Sequence, residues 1–101
     1  MAGTRRRLMT EMSWQDFRKS ISDSVICICV GSVEQHGPHM PLSVDLDIPY
    51  GLAERLSERV PVVVAPPVYY AGPSNPATGG GEHFPGTTSL KGHTLTQLVR
   101  D

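Results

Sequence analysis

The chain has 101 residues, of which 39% are hydrophobic and 19% charged, and its formal net charge is −1. That is the composition of one small globular domain rather than of a disordered segment. A near-neutral charge excludes the broad basic field that holds nucleic acid or an anionic membrane, and no apolar run is long enough to cross a bilayer.

Residues 1–11 read as a tail, with Arg5–Arg7 as a solvated basic cluster. No apolar stretch follows these arginines, so no secretory signal is expected and the chain is read as cytoplasmic. Ser13-Trp14-Gln15-Asp16 fits a capping box and starts a short helix carrying Trp14, Phe17 and Ile21 on one side. "VICICV", Val25–Val30, is a continuous β-branched run and predicts a strand buried on both faces. Cys27 and Cys29 point to one face of it. At that spacing an extended chain does not readily close a disulfide, so buried free thiols are expected.

A polar, Gly- and Pro-rich loop then spans 31–46. Asp47 can cap the next helix, whose apolar positions Ile48, Leu52, Ala53 and Leu56 follow helical spacing. Pro61 closes that region, and Val62–Ala65 predict a second buried strand. Residues 66–84 form a long Pro/Gly-rich loop, of the kind that in compact domains is functional or disordered. Leu95, Leu98 and Val99 begin a last helix. The order helix–strand–helix–strand–helix is that of an α/β sheet with helices on its faces. Both long loops follow strands, and ligands bind at the carboxyl ends of parallel strands. Two strands make a poor sheet. The expectation is therefore a tail over 1–11 and, over 12–101, the N-terminal part of a larger, truncated domain.

The first loop, "GSVEQHGPHMPLSVD" (Gly31–Asp45), holds four residue types that bind metals. Glu34 and His36 stand at i, i+2, so an extended segment points both at one place. Asp45 lies at the end of a loop able to fold back. Carboxylate mixed with imidazole suits zinc or manganese. A catalytic ion of this type lowers the pKa of its water, and a carboxylate can bridge two ions. Pro38 and Pro41 stiffen the loop and reduce the entropy lost on ligation. An isolated E-x-H is more often a solvated loop. The position at a strand's carboxyl end, the added Asp45 and His39, and the stiff composition raise the metal reading. The second loop, "TGGGEHFPGTTSL" (Thr78–Leu90), has three glycines that allow close approach of backbone to a ligand. It is no P-loop, since no G-K-[ST] follows. Glu82 and His83 are further ligands or surface residues, and Phe84 with Pro85 would anchor the loop on apolar surface.

The two loops together, in this order and at this distance, resemble the creatininase (creatinine amidohydrolase) family. "MSWQDF" and "GHTLTQLVRD" add weaker matches, so the resemblance runs from about Met12 to the C-terminus. It implies a three-layer α/β/α fold with a mostly parallel sheet, often assembled as a hexamer. It also implies a binuclear site for two divalent metal ions, zinc and/or manganese. Glu34 matches a ligand of one ion, His36 a ligand of the other, and Asp45 the bridging carboxylate. Thr78, Gly79, Gly80, Gly81 and His83 match a substrate-proximal segment. His39 belongs to the motif without a ligand role. The remaining metal ligands and the general acid match no position here, so no catalytic residue is assigned.

The activity implied is attack of a metal-bound hydroxide on the cyclic amide of creatinine to give creatine, in an enzyme whose partner is a small-molecule amide. Glu82 stands where creatininase tends to have asparagine, and related members hydrolyse a formamide or a small peptide, which is the first alternative. The second is an inactive truncated chain acting only by association.

Overall fold

The computed structural model describes residues 5–73 and 82–101. A 3-10 turn at Met9–Glu11 is followed by α1 (Trp14–Ser20), β1 (Val25–Cys27), α2 (Val44–Ser57), β2 (Val62–Val64) and α3 (Gly92–Arg100). The alternation of helix and strand expected from the sequence is present, and β1 and β2 pair in parallel. Two compact units divide the chain: residues 1–29 with 48–67, and residues 30–47 with 68–101.

In the first unit β1 and β2 run in the register Val25↔Val62, Ile26↔Val63 and Cys27↔Val64. Leu8 adds a parallel bridge on the other side of Val64, where the Val64 N–H donates to the Arg7 carbonyl at 2.9 Å. β2 therefore has a neighbour on each side, and Val63 and Val64 are 0% exposed. β1 corrects the expectation of a strand buried on both faces: Val25 and Ile26 are exposed, and the strand ends at Cys27. An apolar run reports the capacity for burial, and β1 has a hydrogen-bonded neighbour on one side only among the described residues.

Arg5 and Arg6 are exposed, as expected of a solvated tail, but Arg7 and Leu8 depart from it. Leu8 is buried. The Arg7 N–H donates to Ser57 Oγ at 3.0 Å, its Nε donates to the Ser57 carbonyl at 3.1 Å, and its guanidinium also reaches the Val60 carbonyl. Ser57, wholly buried, donates in turn to the Glu54 carbonyl at 2.7 Å. Arg6 pairs with Glu11 and Glu54, exposed contacts that water screens and that add little stability. The two cysteines are free, as expected. Cys29 is buried and donates to the Pro49 carbonyl at 3.7 Å; burial, then the neighbouring Cys27, pushes its thiol pKa up.

Ser13 caps α1 as expected, accepting from the Asp16 N–H at 3.1 Å. Trp14 on that helix is exposed. α2 departs from expectation at its start. It begins at Val44 rather than after Asp47, because the Ser43 carbonyl accepts from both the Leu46 and Asp47 N–H groups at 2.9 Å. The Ser43 hydroxyl donates to Asp47 Oδ2 at 2.6 Å. Asp45 and Asp47 thus share the first turn, where the helix dipole favours carboxylates. The expected apolar face is also corrected. Val44, Leu46, Ala53 and Ser57 are the buried positions, whereas Ile48, Leu52 and Leu56 are exposed.

In the second unit a parallel bridge joins Val30 and Val68, and an antiparallel bridge joins Val33 and Thr88. The Leu90 N–H donates to the Ala71 carbonyl at 2.9 Å shortly before α3 begins. α3 lies where the sequence placed a last helix, with Leu98 and Val99 exposed.

Candidate metal centre

Glu34 and His36 sit on the loop that leaves Val30, and Asp45 sits in the first turn of α2. The loop is closed by its own backbone: the Glu34 N–H donates to the Leu42 carbonyl at 3.1 Å. Within it the Gln35 side-chain oxygen accepts from the Gly37 N–H at 3.0 Å. Gly37 has a φ of +84°, a left-handed conformation that favours glycine. The excursion therefore returns Ser43, and with it the start of α2, to the neighbourhood of Glu34.

One ligand atom from each of Glu34, His36 and Asp45 lies within 4.8 Å of the other two, and all three residues are half-buried. The histidine is oriented for ligation. Its Nδ1 lies 3.0 Å from the Glu34 carbonyl, which can only accept, so Nδ1 carries the proton. Nε2 is left facing Asp45, with Oδ1 at 3.1 Å. An imidazole whose far nitrogen is tied to a carbonyl is the usual arrangement behind a metal-bound histidine. Two carboxylates around one imidazole also supply the negative charge and donor chemistry that zinc or manganese takes. The residues fit such an ion.

Without an ion, a proton on Nε2 occupies the position between ring and carboxylate. The Glu34 carbonyl is the main cause that holds the His36 pKa above its ordinary 6.5; burial, second in size, opposes it, and the charge of Asp45, its hydrogen bond and the charge of Glu34 add to the rise. Two consequences have opposite signs. In the metal-free protein the protonated ring contributes stability that is fully present below 6.5 and is lost as pH rises through the raised value. Metal affinity moves the other way, because ion and proton compete for Nε2. A zinc competition titration is expected to show affinity rising between about pH 6 and 8, and a flat profile would exclude Nε2 as a ligand.

The other sequence-predicted site residues divide. His39 is exposed beside Gly37 and does not join the cluster. Thr78, Gly79, Gly80 and Gly81 lie outside the described residues. His83 is exposed, its ring centroid 4.5 Å from that of Phe84 at a tilt of 35°. Phe84 itself is exposed, so the expected anchoring on apolar surface is not found. Glu82 accepts from the Ser89 hydroxyl at 3.0 Å.

Gly31 is the site residue that spacing did not reveal. A Cβ there would come 2.6 Å from the Leu46 nitrogen and 2.7 Å from the carbonyl carbon and oxygen of Asp45. A glycine directly after the apolar run Val25–Val30, ahead of a ligand loop, is the available signal.

The family model described as creatininase, creatinine amidohydrolase, matches residues 10–101. Creatinine amidohydrolase of Pseudomonas putida is 43% identical over 93 residues, which cover 90% of this chain and 36% of that protein. Mycofactocin precursor peptide peptidase of Mycolicibacterium smegmatis is 42% identical over 81 residues, 74% of this chain and 31% of that protein. A solved mutant creatininase of Zn-Zn type superposes with a TM-score of 0.88 at 39% identity, over 97% of this chain and 39% of that one. The chain thus spans about a third of the length of the relatives it matches, and its fold is that of the corresponding part of an α/β protein.

Proposed function

The chain belongs to the creatininase family, and from that premise we propose that it supplies ligands to the metal centre of an amidohydrolase that opens the cyclic amide of creatinine to give creatine. The observation that carries this reading is the meeting of one ligand atom each from Glu34, His36 and Asp45 within 4.8 Å. Two divalent ions, zinc and/or manganese, would supply Lewis acidity toward an amide carbonyl and acidify water toward neutral pH.

The chain's own residues do the rest of what can be derived. Glu34 and Asp45 provide the charge that retains a divalent cation. His36 would ligate through Nε2 while its Nδ1–H donates to the Glu34 carbonyl, which restrains the ring. Asp45, which by the family resemblance would serve both ions, is carried by the first turn of α2, a stiffer support than a loop. Pro38 and Pro41 limit the entropy lost when the loop is ordered. Thr78, Gly79, Gly80, Gly81 and His83 face the substrate in this reading, which also takes residues 12–101 as one family domain, cytoplasmic and assembled as a homo-oligomer, a hexamer by resemblance.

A second reading keeps the centre and changes the amide to a peptide or formamide. What favours it is the peptidase relative, 42% identical against 43% for the creatinine amidohydrolase though over less of this chain; the family resemblance adds that Glu82 stands where creatininase tends to have asparagine. The test is metal content together with turnover of creatinine, a formamide and a peptide, on this chain and on any longer product of the same frame. Two ions per chain and creatine formation are expected from a product with the whole ligand set. Metal with turnover of another amide selects the second reading. A protein that takes up no zinc or manganese sinks both.

A further inference from the structure

Val33, the residue before Glu34, is bridged to Thr88, whose N–H donates to the Val33 carbonyl at 3.0 Å. On the other side of the same segment, the Glu34 N–H donates to Leu42. Leu42 lies against Gly86, where a Cβ would come 2.7 Å from its Cδ1. Gly86 has a φ of +90°. The turn that carries Gly86 and Thr88 is closed on itself: the Thr87 N–H donates to the Phe84 carbonyl at 3.3 Å, and the Thr88 hydroxyl to the Gly86 carbonyl at 3.3 Å.

We propose that this turn is a positioning brace, in which Thr88 through Val33 and Gly86 through Leu42 fix the backbone of Glu34 and thereby the metal ligands. The inference rests on the reading of Glu34, His36 and Asp45 as ligands. Its physical content is an asymmetry among the three. Asp45 is carried by a helix. Glu34 lies on a loop, and His36 is oriented by the carbonyl of Glu34 itself. A displacement of the Glu34 backbone therefore moves two ligands: the Glu34 carboxylate directly, and the His36 ring through its acceptor. Neither Thr88 nor Gly86 touches the ion or substrate in this scheme.

Thr88→Pro removes the N–H donor of the bridge. In the full chain, amide exchange at Glu34 is expected to quicken by about tenfold or more, while exchange at Val64, in the other unit, keeps its rate. Cobalt(II) affinity is expected to fall about 10–100-fold, as for other supporting partners of metal ligands, with a changed visible absorption spectrum of the bound ion. Gly86→Ala, strained at its positive φ and crowding Leu42, is expected to act in the same direction and serves if the proline variant does not fold. Val63→Ala, which destabilises the buried core of the first unit, should leave the cobalt spectrum as in the parent. A Glu34 amide that exchanges at the parent rate in both brace variants overturns the proposal. So does faster exchange with unchanged cobalt affinity and spectrum. A parent protein that binds no cobalt means instead that the ligand reading has failed, and Glu34 exchange alone then decides for or against the brace.

Discussion

Asp45→Asn and His36→Ala are each expected to abolish the rise in melting temperature that zinc gives the parent protein, with little change in the metal-free melting temperature. The two halves of this expectation come from different physics. Without metal, Asp45 and His36 form a pair at 3.1 Å whose side chains are 38% and 29% exposed. An exposed pair of this kind is screened by water and contributes little, so its loss changes the metal-free melting temperature only slightly. With metal, binding to the native state alone adds about 2.7 kcal/mol at a free concentration of 100 times Kd. That corresponds to a rise of about 10–20 °C. Losing a ligand forfeits this rise and leaves the remaining carboxylate or imidazole exposed to water. His39→Ala is the internal control: its ring lies outside the cluster, and the full zinc response should persist. Melting curves with and without zinc on the parent and the three variants make the comparison. If Asp45→Asn and His36→Ala keep the parent's response, the ion is held elsewhere and the ligand set is wrong.

The features legible in the sequence were those with local causes. Ser13 caps α1 because its hydroxyl reaches the Asp16 N–H three residues on, and the pairing of Glu34 with His36 follows from the two-residue period of extended backbone. The features that were not legible depend on partners far along the chain. Arg7 joins Ser57 fifty residues later, and nothing local in the basic N-terminus announces this. Val25 and Ile26 have the residue types of buried positions, but burial is decided by what lies alongside, and β2 rather than β1 received a neighbour on both sides. The sequence places the start of α2 too late because Asp47 is a good N-cap residue type, whereas the Ser43 carbonyl starts the helix earlier and puts Pro49 inside it. That shift has a functional consequence. It moves Asp45 from the end of a loop into the first helical turn, a more rigid support.

What brings that turn to the ligand loop is Gly31, and Gly31→Ala is expected to damage stability and metal binding together. The constraint here is space. Gly31 is buried, its N–H donates to the Val68 carbonyl at 3.0 Å, and a Cβ would meet three backbone atoms of Asp45 and Leu46 at 2.6–2.7 Å. Backbone atoms cannot turn aside as the end of a side chain can. Either the backbone at Gly31 or the first turn of α2 has to move, and Val44 and Leu46, 7% and 1% exposed, hold that turn. Overpacking of this severity costs about 3 kcal/mol or more, a fall of roughly 10 °C or more for a domain of this length. The atoms displaced belong to the residue whose carboxylate faces His36, so zinc affinity should fall in the same variant, by about tenfold or more. Gly51→Ala, in the same helix, supplies the opposite sign. Nothing lies within 4 Å of the Cβ it would add, and alanine is favoured over glycine in a helix by about 1 kcal/mol. Thermal melts and zinc competition on the two variants test the argument. An alanine at 31 that melts and binds zinc like the parent would show that the approach of the Gly31 backbone to Asp45 is not what fixes the ligand, whereas destabilisation at 31 beside stabilisation at 51 would establish steric contact at Gly31 as the cause.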